Sequence, residues 1–171
     1  MRLTSSELWK ARAVTLVPDT REAGLVGVGY QGLTADELVE VLVAMGVSRL
    51  VDVRLNPVSR KPGLSKAALG RALAEVGIDY QHRRELGNPK DNRAGFAGPP
   101  ADLAVARSTF QQRLSCPEAD KALQDLASAG RTHLVALLCY EADQQRCHRD
   151  VVLREAHKRA PTSWASTHQE R

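Results

Sequence analysis

An α/β domain in three layers, a mostly parallel sheet with helices on both faces, is the fold class this sequence predicts. Three observations carry it. Short, mostly apolar runs recur at residues 25–30, 50–53 and 133–139, the last unbroken from Val135 to Cys139, the pattern of strands buried on both faces. Between them, apolar residues return at helical spacing, as in Leu38, Val41, Leu42 and Met45 and again in Leu69, Ala72, Leu73 and Val76. Strand and helix patterns then alternate along the chain, which argues for βαβ units rather than hairpins.

A chain of 171 residues is long enough for one domain with a substantial core. That domain is expected over 24–160, between an N-terminal extension at 1–23 and a polar tail at 161–171. Charged residues at 26% and apolar residues at 43% are ordinary for a soluble globular protein. No apolar run could span a bilayer, and residues 1–7 lack the apolar centre of a signal peptide. A cytoplasmic protein without a membrane partner is therefore expected. Cys116, Cys139 and Cys147 do not make a disulfide framework and read as thiols.

In chain order, residues 25–30 form the first strand, and Gln31-Gly32-Leu33 a turn. Thr34-Ala35-Asp36-Glu37 is a capping box that opens a helix, which Gly46 stops. Residues 49–54 form a second strand ending in two charges. A loop braced by Pro57 and Pro62 follows, and then a helix from Ser65 to Val76 with Gly77 as its stop. Residues 78–82 form a short third strand. Residues 83–102, rich in Gly, Pro and Asn, read as a long loop. Helices are expected over 103–114 and from Ser115-Cys116-Pro117-Glu118 to Ala129, then a last strand over 133–139 and a last helix from Cys147 to about Arg159.

Ligands collect beyond the carboxyl ends of parallel strands, so the strand ends Gly29-Tyr30, Asp52-Val53-Arg54 and Cys139-Tyr140-Glu141 are the candidate site. The start of the last helix adds free backbone N–H groups and a partial positive charge, with Arg146, His148 and Arg149 at the same place. Between positions 54 and 93, nine Lys/Arg stand against four Asp/Glu, whereas the rest of the chain is nearly neutral. An acidic partner, a phosphorylated small molecule or nucleic acid, is the expectation; a solvated surface with acids nearby in space would give the same count.

Each candidate has a plain structural counterpart. Asp52 and Arg54 lie two apart, on one face of a strand, where they can pair with each other or Asp52 can orient Arg54 toward an anion. Ser59, Arg60 and Lys61 offer a hydroxyl and two cations on a stiffened loop. Tyr80 and His82 could stack on a base or sit on a half-buried strand. Gly29 and Tyr30 permit a close backbone approach or make a tight turn. Cys139 faces a helix start and arginines, a setting that favours thiolate, whereas Cys147 shares a helical face with Val151 and Val152 and reads as core. A phosphatase loop would need an arginine where Gln145 stands. As zinc ligands, Cys139, Cys147 and His148 have irregular spacing and no clear fourth partner, so neither metal nor cofactor is expected. Glu141 and His148 could pair as general acid and base, or Glu141 could neutralise Arg146 or Arg149.

On these residues the chain resembles the domain of unknown function 488 family of small bacterial and archaeal proteins. The resemblance runs from about residue 25 to 157. It rests on Gly29-Tyr30-Gln31-Gly32, Val51-Asp52-Val53-Arg54 with Asn56-Pro57 and Ser59-Arg60-Lys61, and Tyr80 with His82. It continues through Glu85-Leu86-Gly87-Asn88-Pro89-Lys90, Leu138-Cys139 with Glu141, and Cys147-His148-Arg149. It implies an α/β fold with these motifs clustered at one end of the sheet and names no activity. A thinner likeness, to rhodanese domains, runs through residues 50–54 and the cysteine at a later strand end; the loop after Cys139 is not the short catalytic cradle of those proteins.

The functional expectation is an anion site for a phosphorylated substrate, a nucleotide or nucleic-acid end among the candidates, held by Arg54, Arg60 and Arg149. Glu141 and His148 would handle protons, and Cys139 would be nucleophile or wall. The alternatives are a non-catalytic nucleic-acid-binding module using the 54–93 stretch, and rhodanese-like thiol chemistry at Cys139.

Overall fold

Apolar side chains that alternate along a strand must be covered on both faces, and here helices do so. The computed structural model describes residues 23–160. The expectations for the 1–23 extension (all but its last residue) and for the 161–171 tail lie outside the described residues. The elements run β1 (Gly24–Gly29), α1 (Ala35–Ala44), β2 (Arg49–Asp52), α2 (Lys66–Glu75), β3 (Asp79–His82), a 3-10 turn (Arg84–Leu86), α3 (Lys90–Ala97), α4 (Pro100–Arg113), α5 (Pro117–Ala129), β4 (Leu134–Cys139) and α6 (His148–Lys158). None of these helices is long and apolar enough to cross a membrane.

The strands lie in the order β1-β4-β2-β3, and every pairing is parallel. On one face Val28, Leu50, Ala136 and Leu138 pack with Leu38 and Leu42 of α1 and Leu69 and Leu73 of α2. On the other, Val51, Val135, Leu137 and Cys139 pack under Phe96 of α3, Phe110 of α4, Leu123 of α5 and Val152 of α6. The three layers follow directly from this alternation. The capping box of α1 forms: Glu37 N donates to Thr34 Oγ1 (3.2 Å) and Thr34 N to Glu37 Oε2 (2.9 Å). Gly46, at φ +72°, ends the turn after α1 in the left-handed region, where an L side chain would be strained. Val76, expected inward, is exposed at the end of α2.

The order of the strands positions the site. β4, last in sequence, inserts between β1 and β2, so the chain leaves β1 and β2 toward the α1/α2 face but leaves β4 toward the opposite face. Connections that diverge in this way open a crevice at the strand carboxyl ends.

One expectation is corrected. Residues 83–102 are not a long loop: they hold the 3-10 turn, α3 and the first turn of α4. The prolines that suggested irregular backbone punctuate helices instead, with Pro89 and Pro99 at N-caps and Pro100 at a first helical position, where a missing N–H costs nothing. Gly95 lets the helices touch, since a Cβ there would lie 2.6 Å from that of Ala106. Phe96 then packs edge-on against Phe110, centroids 6.4 Å apart.

Candidate functional site

The loop after β4 is held from two sides. Tyr30 N donates to Cys139 O (3.2 Å) and Gln31 N to Tyr140 O (2.8 Å), so the β1–β4 ladder continues past the sheet. Gln31 Oε1 accepts from Ala142 N at 3.0 Å. At Gly29 a Cβ would stand 1.9 Å from the Glu141 carbonyl oxygen, so only glycine lets the loop lie this close. From α6, Arg149 (2% exposed) donates to Glu141 O at 2.5 Å and to Ala142 O at 3.1 Å. Among the described residues its Nε has no hydrogen-bond partner.

Cys147 is the N-cap of α6, with extended backbone (φ −131°, ψ 141°), and His148 is the first helical residue. The change of backbone at this point turns two adjacent side chains toward the same spot. His148 Nε2 lies 2.9 Å from Val53 O. A carbonyl only accepts, so Nε2 carries a ring proton, and in the neutral ring Nδ1 presents a lone pair. That lone pair faces Cys139 Sγ at 3.7 Å and Cys147 Sγ at 3.9 Å. Phe110 packs edge-on against the imidazole. The Cys139 thiol donates to Glu141 Oε2 at 3.2 Å. The ligand-type atoms of Cys139, Cys147 and His148 all lie within 4.8 Å of one another, a spacing that could hold a metal ion.

The two thiols divide the acidity between them. The hydrogen bond with Cys147, burial, and the negative charges of Cys147 and Glu141 push the Cys139 thiol well up. Cys147 falls to about 6: its hydrogen bond with Cys139, and the hydrogen bond and positive charge that His148 offers as an imidazolium, with the charge of Arg149, together outweigh burial. Burial alone would raise Glu141; hydrogen bonds from its own backbone N–H and both thiols, with His148 nearby, hold it below the usual carboxylate value. The thiolate expected at Cys139 is thus favoured at Cys147 instead.

At the end of β2 a second polar cluster closes on itself. Arg54 donates to Asp52 through Nε (2.8 Å) and Nη2 (2.5 Å), and through Nη1 to Tyr30 Oη (3.1 Å) and Leu64 O (3.0 Å). Tyr80 Oη donates to Asp52 Oδ2 at 2.6 Å. His82 Nε2 lies 2.8 Å from Arg54 O. Asp52 is fully buried and Arg54 is 6% exposed. Burial alone would lower the Arg54 pKa, but Asp52 outweighs it and holds the guanidinium above its ordinary value; burial and the bond to Asp52 likewise raise Tyr80.

A cavity of about 150 Å³ opens over the first cluster. Its floor is Cys139, Glu141, Cys147 and His148; Tyr30, Arg54, Asn88, Arg93 and Arg146 stand around it. The fold therefore brings Tyr30, Arg54, Cys139, Glu141, Arg146 and His148 to one place, with Asp52, Tyr80 and His82 bracing Arg54 from below and Gly29 seating the loop. It does not bring Ser59, Arg60 or Lys61 into that lining. Lys61 donates to Leu33 O, Ser59 Oγ accepts from Lys61 N, and Arg60 is exposed. Arg149 acts behind the loop.

Asn88, Arg93 and Cys147 were not singled out as site residues by the sequence. Asn88 stands in the Gly87-Asn88-Pro89 motif, and Arg93 is carried by α3, which the sequence disguises as loop. Asn88 Oδ1 accepts from Asn92, so its amide NH₂ is the group it can offer. Arg93 Nε donates to Asn88 O and Arg146 Nη1 to Gly98 O, which leaves donors on both guanidinia. Cys147 is core, as expected, at 1% exposure, and also reaches the cavity.

No curated protein and no solved structure matches the chain. The family profile that does match begins at Thr34, after Gly29-Tyr30-Gln31-Gly32, and contains the β2, β3, α3 and β4 motifs and the Cys147-His148-Arg149 segment. It covers residues 34–156, most of the chain, which therefore belongs to the family described as Domain of unknown function DUF488.

Proposed function

We propose that the chain is an enzyme that grips its substrate by an anionic end, a phosphate ester or the terminus of a nucleotide or nucleic acid, in the cavity at the carboxyl end of β4. One observation carries the reading: the exposed Arg93 and Arg146, with the buried Asn88 and Arg54, line the same cavity as two thiols, an imidazole and a carboxylate. Two guanidinia with free donors suit the equatorial oxygens of a phosphate. A volume of about 150 Å³ takes a phosphate-sized group, whereas pockets for whole small molecules run to roughly 300–1,000 Å³. The remainder of the substrate would lie outside, along Val58 and Tyr140, which are exposed.

In this reading Arg54 is a positioning residue: most of its donors serve Asp52, Tyr30 and Leu64. Glu141 and the Nδ1 lone pair of His148 are the groups in the lining that can take a proton, whereas the His148 Nε2–H is committed to Val53 O. Dispersal of the basic stretch weighs against the binding-module alternative. Arg54 is internally paired, and Arg83 is engaged by Asp125 and Glu85. Burial and the raised pKa of Cys139 weigh against sulfur transfer there.

Calorimetric titration with inorganic phosphate and a nucleoside monophosphate tests the reading. Saturable binding that falls about tenfold in Arg146→Ala and again in Arg93→Ala is expected. Binding of long nucleic acid with steep salt dependence, untouched by those substitutions and by Glu141→Gln, would move the function to the module. Fast alkylation of Cys139 near neutral pH would move it to thiol chemistry.

A further inference from the structure

We infer that Cys139, Cys147 and His148, with Glu141 at the fourth corner, form a metal site for zinc or an ion of like character at the floor of the cavity. The inference does not depend on the anion reading, because Arg93, Arg146 and Asn88 supply no ligand.

Four observations meet here. The first is the donor set: two sulfurs, an imidazole nitrogen and a carboxylate oxygen suit zinc, and thiolates discriminate against calcium and magnesium. The second is spacing. Bonds of about 2.3 Å to sulfur and about 2.0–2.1 Å to nitrogen or oxygen put tetrahedral ligands about 3.6 Å apart. The separations are 3.7 Å (Cys139 Sγ to His148 Nδ1), 3.9 Å (Cys147 Sγ to His148 Nδ1) and 3.2 Å (Cys139 Sγ to Glu141 Oε2). The third is the state of the imidazole. Its Nε2–H is held by the Val53 carbonyl, so the Nδ1 lone pair is aimed at both thiols, as the outer contact of a metal-binding histidine requires. The fourth is access and charge. The cavity touches all four side chains and gives an ion an entry path. The N-terminus of α6, capped by Cys147, favours the anionic ligand set.

The mutually close set is Cys139, Cys147 and His148; Glu141, two residues after Cys139 and 3.2 Å from its sulfur, is the carboxylate that would draw in as the fourth partner. Binding replaces whatever thiol protons remain: an Sγ–H bond that breaks gives its proton to solvent, each sulfur offers an electron pair to the ion, and no oxidant is needed.

The test uses the full chain, stripped with a chelator under reducing conditions and titrated with Co²⁺ alone. One equivalent should produce thiolate-to-cobalt charge-transfer absorption with the intense d–d bands of a tetrahedral ion, and Zn²⁺ should bleach both. Zinc should also shield Cys139 and Cys147 from alkylation while Cys116, which is exposed, stays reactive. Cys147→Ser should weaken cobalt binding about a hundredfold, and Glu141→Gln about tenfold. If Cys147→Ser does not fold, Glu141→Gln and the shielding of the wild-type thiols decide. Absence of the charge-transfer band in the wild type, undiminished affinity in Cys147→Ser or Glu141→Gln, or a Cys139–Cys147 disulfide that forms equally fast with zinc present would each overturn the site. Cobalt binding without phosphate binding would support it and remove only the anion reading.

Discussion

Two polar clusters sit at the ends of neighbouring strands, joined through Val53, and they differ in how their donors and acceptors balance. At the end of β2, Asp52 receives two guanidinium bonds from Arg54, a hydroxyl from Tyr80 and the Arg54 backbone N–H (3.1 Å). Charge meets opposite charge and every strong donor has a strong acceptor. At the end of β4, by contrast, an imidazole lone pair, a carboxylate and two sulfurs face one another with only weak S–H donors between them. A buried cluster that satisfies itself is a brace. One rich in acceptors and open to a cavity is built for something that enters.

The largest expected effect falls on the closed cluster. Asp52→Ala leaves Arg54 buried without a counter-charge and should cost about 3–5 kcal/mol in denaturant unfolding. A loss below about 1 kcal/mol would mean that the two clusters do not differ as described. Gly29→Ala attacks the open cluster without altering any of its polar side chains, because the new Cβ meets the Glu141 carbonyl oxygen. It should cost about 1–3 kcal/mol and displace the 140–142 loop, which a loss of cobalt absorption would register. Unchanged cobalt spectra would separate that loop from the site.

Tyr80→Phe sharpens the contrast. It removes one bond to a charged acceptor, about 1.5 kcal/mol, yet should leave phosphate and cobalt affinity alone, since Arg54 still neutralises Asp52.

The smallest effect lies far from both clusters. Glu155 is held below the usual carboxylate value: burial would raise it, but Lys158 and Arg159 outweigh that. A depressed carboxyl stabilises fully above its unfolded pKa of about 4.3, and that contribution disappears as pH falls through the lower folded value. Arg159→Ala should therefore cost roughly 0.5–1 kcal/mol at neutral pH and much less at pH values near 3, as acid titrations of unfolding would reveal.

How much of this was legible follows from what each residue type says locally. Buried parallel strands announce themselves by short, mostly apolar runs, so β1, β2 and β4 and the convergence of their ends could be read from 25–30, 50–53 and 133–139. The insertion of β4 between β1 and β2 could not, because strand order is set by which crossovers pack, not by any residue within a strand. Helix α3 was hidden because Pro89, Gly95 and Pro99 read as breakers until it is known that they cap a helix or face Ala106; Arg93 was lost with it. Asp52 and Arg54 could be seen to share a face, but not that Tyr80 and Leu64 would complete their bonding. Cys147 read as core and His148 as a site residue at the helix start; that both face one spot was hidden, since only the extended backbone of an N-cap turns both side chains the same way.

The most direct measurement is a crystal structure of the full chain grown with zinc and soaked in phosphate, with diffraction collected on both sides of the zinc absorption edge. The account predicts an anomalous peak bounded by Cys139, Cys147, His148 and Glu141, phosphate density against Arg93, Arg146 and Asn88, and an unaltered Asp52–Arg54–Tyr80 brace. Zinc and phosphate located instead on the Ser59–Lys61 loop or at Asp52, with the cavity left to solvent, would contradict it.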